Sequence, residues 1–135
     1  VKRSICEFID RVAKNFDAEV IFIPMCKHKH FLLEKDHILA EEIRKLIENK
    51  DHMKILHGNY TPQEVKAIIR EMDVFIGMRY HSIVFASSVH TPLIAISYAP
   101  KTKDFLKAHN SQAKILDARK IDYESLKEAF QTTIS

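Results

Sequence analysis

Glycine is scarce in this chain. Gly58 and Gly77 are the only two among 135 residues, against a usual share of about 7%. A Gly-x-Gly-x-x-Gly dinucleotide loop needs three glycines, and a Walker A loop needs two with four residues between them; Gly58 and Gly77 stand too far apart, so both are excluded. Cysteine is as rare. Cys6 and Cys26 stand far apart, form no metal or redox spacing, and read as small core residues of a reducing compartment. No run approaches the roughly 18 to 20 apolar residues of a membrane span. The first ten residues carry charges throughout and hold no signal-peptide h-region. The net charge of +3 permits an anionic ligand but is too mild to point to nucleic acid. There is no serine nucleophile elbow, and no Cys–His pair is supported by spacing. Glu41, Glu42, Glu48, Glu64 and Glu71 fall at helix caps or on outer faces, which leaves paired-carboxylate glycosidase chemistry without a candidate.

What is present is an alternation of two kinds of segment. At 46% hydrophobic and 29% charged residues, the chain has the composition of one globular core. Ile5, Phe8, Ile9 and Val12 share one face of a helix expected over Ser4 to Asn15. Ala18 to Met25, with Val20-Ile21-Phe22-Ile23, reads as a strand buried on both faces. A polar loop with Lys27, His28, Lys29 and His30 follows it. Next come a helix over Asp36 to Asn49 and a short strand from Met53 to His57. Thr61-Pro62-Gln63-Glu64 opens another helix, with threonine as cap, proline at the first helical position and Glu64 completing a capping box. The rest reads as strand Val74 to Gly77, helix Tyr80 to Val89, strand Leu93 to Ser97, and a short helix near Lys103 to Ala108. Strand Lys114 to Leu116 and helix Tyr123 to Thr132 end the chain. Such alternation predicts an α/β fold, a Rossmann-like three-layer sandwich with a parallel sheet, formed as one domain over residues 1–135. The missing initiator methionine and the helical start lead us to expect a piece of a longer protein, with the remainder upstream.

Ligands of parallel sheets bind beyond the carboxyl ends of the strands. Two segments deliver chemistry there. Asp73-Val74-Phe75-Ile76-Gly77-Met78-Arg79-Tyr80-His81-Ser82 is a buried strand that stops at glycine and presents Arg79 and His81 at the mouth of a helix. Arg79 suits a phosphate or carboxylate held by a two-pronged bond. His81 suits a general acid, or an imidazolium that binds phosphate. The plainer reading of this pair, that they cap and solvate a helix start, stands beside the functional one. Pro92-Leu93-Ile94-Ala95-Ile96-Ser97-Tyr98-Ala99-Pro100-Lys101 repeats the pattern. Ser97, Tyr98, Lys101 and Lys103 would face the same crevice, or form a solvated basic turn started by Pro100. The basic loop around His30 also follows a strand, and we read it as ligand-facing. His28, His30, Asp36 and His37 do not complete a recognised zinc spacing, so no metal is expected. His52, His57, His90 and His109 form no constellation.

Gly77-Met78-Arg79-Tyr80-His81-Ser82 followed by Pro92 to Lys101 resembles the C-terminal part of the polysaccharide pyruvyl transferase family. That family shows a Met-Arg-Leu-His stretch and then a hydrophobic strand ending Ser-Tyr-Asp-Pro-Lys. Ile21-Phe22-Ile23-Pro24-Met25, Asp36 and Asp73 fit the same layout, and the likeness runs from Ala18 to Leu106. It implies the second half of a GT-B-like fold, with two Rossmann-like domains across a cleft and an upstream domain as partner. It implies transfer of a pyruvyl group from phosphoenolpyruvate to two hydroxyls of a cell-surface polysaccharide, as a ketal. The donor is a substrate, and no cofactor is implied. The reaction would be cytoplasmic, with a peripheral position at the inner membrane face allowed. Arg79 and His81 inherit donor binding and catalysis. Ser97, Tyr98, Lys101 and His30 would contact substrate. Tyr80 stands where the family has leucine, a packing change. Ala99 stands where it has aspartate, which removes a carboxylate near the cleft and bears on substrate identity. The alternatives are a GT-B glycosyltransferase or sugar-nucleotide epimerase half-domain, and a non-catalytic binding module of the same fold. The isolated piece need not be active alone.

Overall fold

The computed structural model describes residues 2–23, 40–48, 50–56 and 60–134. The chain forms two compact units, Val1–Gly58 and Asn59–Ser135. Both are α/β with parallel strands.

In the first unit, helix α1 (Lys2–Phe16) is followed by strand β1 (Val20–Phe22). Residues 40–46 are helical (α2), and a 3₁₀ turn (Lys50–His52) leads into strand β2 (Met53–Ile55). β1 and β2 pair in parallel, Val20 opposite Met53 and Phe22 opposite Ile55. The apolar spacing of α1 buries Cys6 and Ile9 against Ala40 and Ile43 of α2, Ile47 just past its end, and Met53 and Ile55 of β2. Cys6 is thus the core residue expected; Cys26 lies outside the described residues. The Asp10 carboxylate accepts from the Glu48 backbone N–H at 2.9 and 3.1 Å, tying α1 to the end of α2. β1 departs from expectation. It is half-buried at all three positions, and among the described residues β2 is its only strand partner.

The second unit holds the longer alternation. Helix α3 (Pro62–Arg70) precedes strand β3 (Phe75–Gly77), helix α4 (Tyr80–Ser88), strand β4 (Leu93–Ile96), helix α5 (Pro100–His109), strand β5 (Lys114–Leu116) and helix α6 (Tyr123–Ile134). The sheet order is β3-β4-β5, parallel throughout, with Gly77 opposite Ala95 and Ile96 opposite Leu116. The middle strand β4 is buried at all four positions, as a strand covered on both faces must be. Ile83 of α4 and Ile94 of β4 are fully buried, each burial worth roughly 1.5–3 kcal/mol. The Thr91 hydroxyl donates to the Ile69 carbonyl at 2.8 Å, which fastens the end of α3 to the entry of β4.

The helix ends follow their local chemistry. At the start of α3 the capping box is complete. The Thr61 hydroxyl accepts from the Glu64 N–H at 3.1 Å, and Glu64 accepts from the Thr61 N–H at 2.9 Å. The Thr61 backbone N–H, and then its hydroxyl, hold the Glu64 carboxyl below its ordinary value. Thr61→Ala is expected to cost about 1 kcal/mol of stability, read as a lower urea midpoint with an unchanged slope. α4 ends in a Schellman arrangement. His90 takes the left-handed conformation (φ 62°), its N–H bonds the Ser87 carbonyl, and the Thr91 N–H bonds the Ala86 carbonyl. That gives His90 a structural task where the sequence showed none.

Candidate active site

Because the three strands of the second unit are parallel and in register, their carboxyl ends form one edge. β3 delivers Met78 and Arg79 there, β4 delivers Ser97, Tyr98 and Ala99, and β5 delivers Asp117 to Arg119. Five of the expected residues, Arg79, His81, Ser97, Tyr98 and Lys101, therefore stand at or just past this edge. His30 and the loop around it lie outside the described residues. Among the described residues no group of three or more His, Cys, Asp or Glu is placed to hold a metal.

The start of α4 is built around Gly77. A Cβ at that position would lie 3.0 Å from Ile83 Cγ1 and 3.1 Å from both Ser82 Oγ and the Phe75 ring. The glycine thus lets the first turn of α4 sit directly on the strand end. Arg79 is the N-cap, extended at φ −94° and ψ 140°. Its carbonyl accepts from the buried Ser82 hydroxyl at 2.6 Å and the Ile83 N–H at 3.1 Å. Its guanidinium stem leaves the turn exposed. His81 is the second residue of the helix and is also exposed. No side chain caps α4, and its first turn holds no acidic residue.

The start of α5 repeats this arrangement and differs from expectation. The basic stretch after Pro100 is not a turn; the helix begins at Pro100 itself, with Ala99 as an extended N-cap. Proline at the first helical position has its φ already set and loses only an N–H that the helix would leave unpaired. The Ser97 hydroxyl accepts from the Ala99 N–H at 3.1 Å, and Ser97 is buried, so this hydroxyl shapes the junction. Lys101 and Lys103 consequently lie in the first turn of α5, again with no side-chain cap and no acidic residue. Cations at the positive end of a helix are locally unfavourable by about 0.3–1 kcal/mol each, and a bound anion would relieve that.

The structure adds contacts that the sequence reading does not give. Tyr80 lies with its ring centroid 4.2 Å from Lys101 Nζ, 5.8 Å from the Phe105 ring and 5.9 Å from the His81 ring. Phe105 sits 4.9 Å from the His109 ring. Beyond β5, Arg119 Nε and Nη2 donate to the two Asp117 carboxylate oxygens at 3.1 and 3.0 Å, and the guanidinium lies 5.2 Å from the Tyr98 ring, which is 59% exposed. The Arg119–Tyr98 stack could not be read from spacing, because the two residues meet only once β4 and β5 pair.

The Arg119 side chain, then its backbone N–H, holds the Asp117 carboxyl well below its ordinary 3.8, at about 2. The same pair raises Arg119. A folded value below the unfolded one means that the pair contributes stability above about 3.8 and loses it as pH falls through about 2. A carbon-detected titration is expected to place the Asp117 midpoint near 2, and Arg119→Ala to return it toward 3.8. An unchanged midpoint in that variant would show that the pair does not hold in solution.

The second unit is thus a parallel α/β module whose strand-end edge carries two helix starts without side-chain caps and the exposed cations Arg79 and Lys101. The chain belongs to the polysaccharide pyruvyl transferase family, a transferase family whose model matches residues 1–100. The match takes in β3, α4 and β4 and stops where α5 begins, so Lys101, Asp117 and Arg119 lie beyond it. Neither the curated proteins nor the solved structures compared with the chain give a match. Among the described residues no helix is long and apolar enough to cross a membrane.

Proposed function

We propose that the carboxyl edge of β3-β4-β5 is the donor site of a pyruvyl transfer reaction, with phosphoenolpyruvate as donor and two hydroxyls of a saccharide as acceptor. The observation that carries this reading is the pair of uncapped helix starts, α4 and α5, with Arg79, His81 and Lys101 on their first residues. Phosphoenolpyruvate concentrates a phosphate and a carboxylate in a small volume. Two helix starts and two fixed cations match that charge without a glycine-rich loop.

The chemistry assigns each group a task. A proton added to the donor methylene carbon gives a methyl group and a cationic carbon stabilised by its oxygen. A saccharide hydroxyl attacks that carbon, phosphate leaves with its bonding electrons, and the second hydroxyl closes the ketal. Of the two hydroxyl protons, one balances the proton taken up by carbon and the other departs with phosphate. His81, an exposed imidazole on the first turn of α4, is the proton-transfer residue. Arg79 clamps an anionic group of the donor, and Lys101 supplies a second cation. On this reading an upstream GT-B-like domain would contribute the acceptor side of the cleft, and the reaction would run at the cytoplasmic face.

The test is a nuclear magnetic resonance titration of phosphoenolpyruvate into the chain, with UDP and UDP-sugars as parallel ligands. Saturable shifts at Arg79, His81 and Lys101 with phosphoenolpyruvate are expected. Shifts with UDP-sugars alone would replace the reading by nucleotide-sugar binding, and no saturable shift with phosphoenolpyruvate would overturn it.

A further inference from the structure

We infer that Tyr80 is a positioning residue whose ring fixes the Lys101 ammonium beside the first turn of α4, so that a cation carried by α5 serves the site begun on α4. What the ammonium binds rests on the donor reading above; how it is held rests on geometry alone. Lys101, Phe105 and His109 follow one another at four-residue spacing and so share one face of α5. The Tyr80 ring meets that face twice. Phe105 approaches it at 5.8 Å with the planes at 72°, and Lys101 Nζ lies over it at 4.2 Å. The edge-to-face contact with half-buried Phe105 sets the plane of the Tyr80 ring. The negative face of that ring then holds the ammonium.

This matters because a lysine head on a four-carbon stem samples many rotamers when it is exposed, as Lys101 is. An ion pair would also hold the ammonium, but would neutralise it. Among the described residues the partner of Lys101 is the Tyr80 ring, which carries no charge. The ammonium is therefore held in place with its full charge, as a seat for an anion requires. The residue that does the holding is adjacent to both Arg79 and His81, so the side chains of Arg79, His81 and Lys101 share one turn of backbone as their reference.

The experiment compares wild type with Tyr80→Phe, Tyr80→Leu, Lys101→Met and the Tyr80→Leu/Lys101→Met double variant. In wild type the Lys101 ε-methylene protons are expected upfield of ordinary lysine, because they lie in the shielding region of the ring. Phenylalanine should keep that shift and leucine should abolish it. Affinity for phosphoenolpyruvate should fall about two- to five-fold in Tyr80→Leu, stay near wild type in Tyr80→Phe, and fall no further when Tyr80→Leu is added to Lys101→Met. An upfield shift that survives Tyr80→Leu would overturn the inference. So would a loss of affinity from Tyr80→Leu that is undiminished in the Lys101→Met background. If wild type does not bind phosphoenolpyruvate, the donor reading fails by itself, and the proton shifts still decide whether Tyr80 holds Lys101.

Discussion

Alanine at position 81 is expected to lower the turnover of pyruvyl transfer by about 10²- to 10⁴-fold, the usual contribution of a positioned general acid or base. Donor affinity should change little. The location of His81 makes this a clean test. It is the second residue of α4, exposed, with Tyr80 as its aromatic neighbour at 5.9 Å. The turn around it is held by the Arg79 carbonyl, the Ser82 hydroxyl and the Ile83 N–H, none of which depends on an imidazole. The helix should therefore survive, and thermal unfolding of the variant should match wild type. Steady-state rates at saturating and limiting phosphoenolpyruvate separate the effect on kcat from that on KM. A variant with wild-type kcat would remove His81 from the chemistry.

Arg79→Ala should give the opposite signature. Truncating a guanidinium that makes charge-assisted bonds to an anion costs about 1.5–3 kcal/mol, so donor affinity should drop by roughly ten- to a hundred-fold. Turnover at saturating donor should fall less. Again the backbone argument isolates the side chain: the N-cap role of Arg79 is played by its carbonyl and its extended conformation, which alanine also adopts. Arg79→Lys should recover only part of the loss, because an ammonium replaces a planar fork by a point charge. Calorimetric titration of phosphoenolpyruvate into the three proteins distinguishes these cases, and equal affinities would discard the clamp.

Much of the second unit was legible from residue order. Continuous apolar runs bounded by polar tips placed β4 and β5 within a residue, and Thr61-Pro62-Gln63-Glu64 placed the start of α3 through a cap that forms as read. The start of α5 was read three residues late, because Ser-Tyr-Ala-Pro looks like a turn until proline is allowed its role at the first helical position. The strand-glycine-helix pattern points to Arg79 and His81, and the structure sets both at the strand edge. Tyr80 was read as a packing change because its partners lie on α5, and only the juxtaposition of two helices reveals a cation over its ring. Arg119 was missed for a related reason. It follows β5 by a few residues of unremarkable sequence, and its place beside Tyr98 exists only when β4 and β5 are neighbours.

The connections between strand and helix at this edge are short. Met78 and Arg79 alone separate β3 from α4, and Ser97, Tyr98 and Ala99 alone separate β4 from α5. Each is closed by internal bonds, Ser82 to the Arg79 carbonyl on one side and Ala99 to Ser97 on the other. Their conformational entropy is lost when the unit folds and is not lost a second time when a ligand arrives. On the proposed donor reading, association at this edge should therefore resemble the filling of a rigid mould, with on-rates set by diffusion and electrostatic attraction and falling as salt screens the cations.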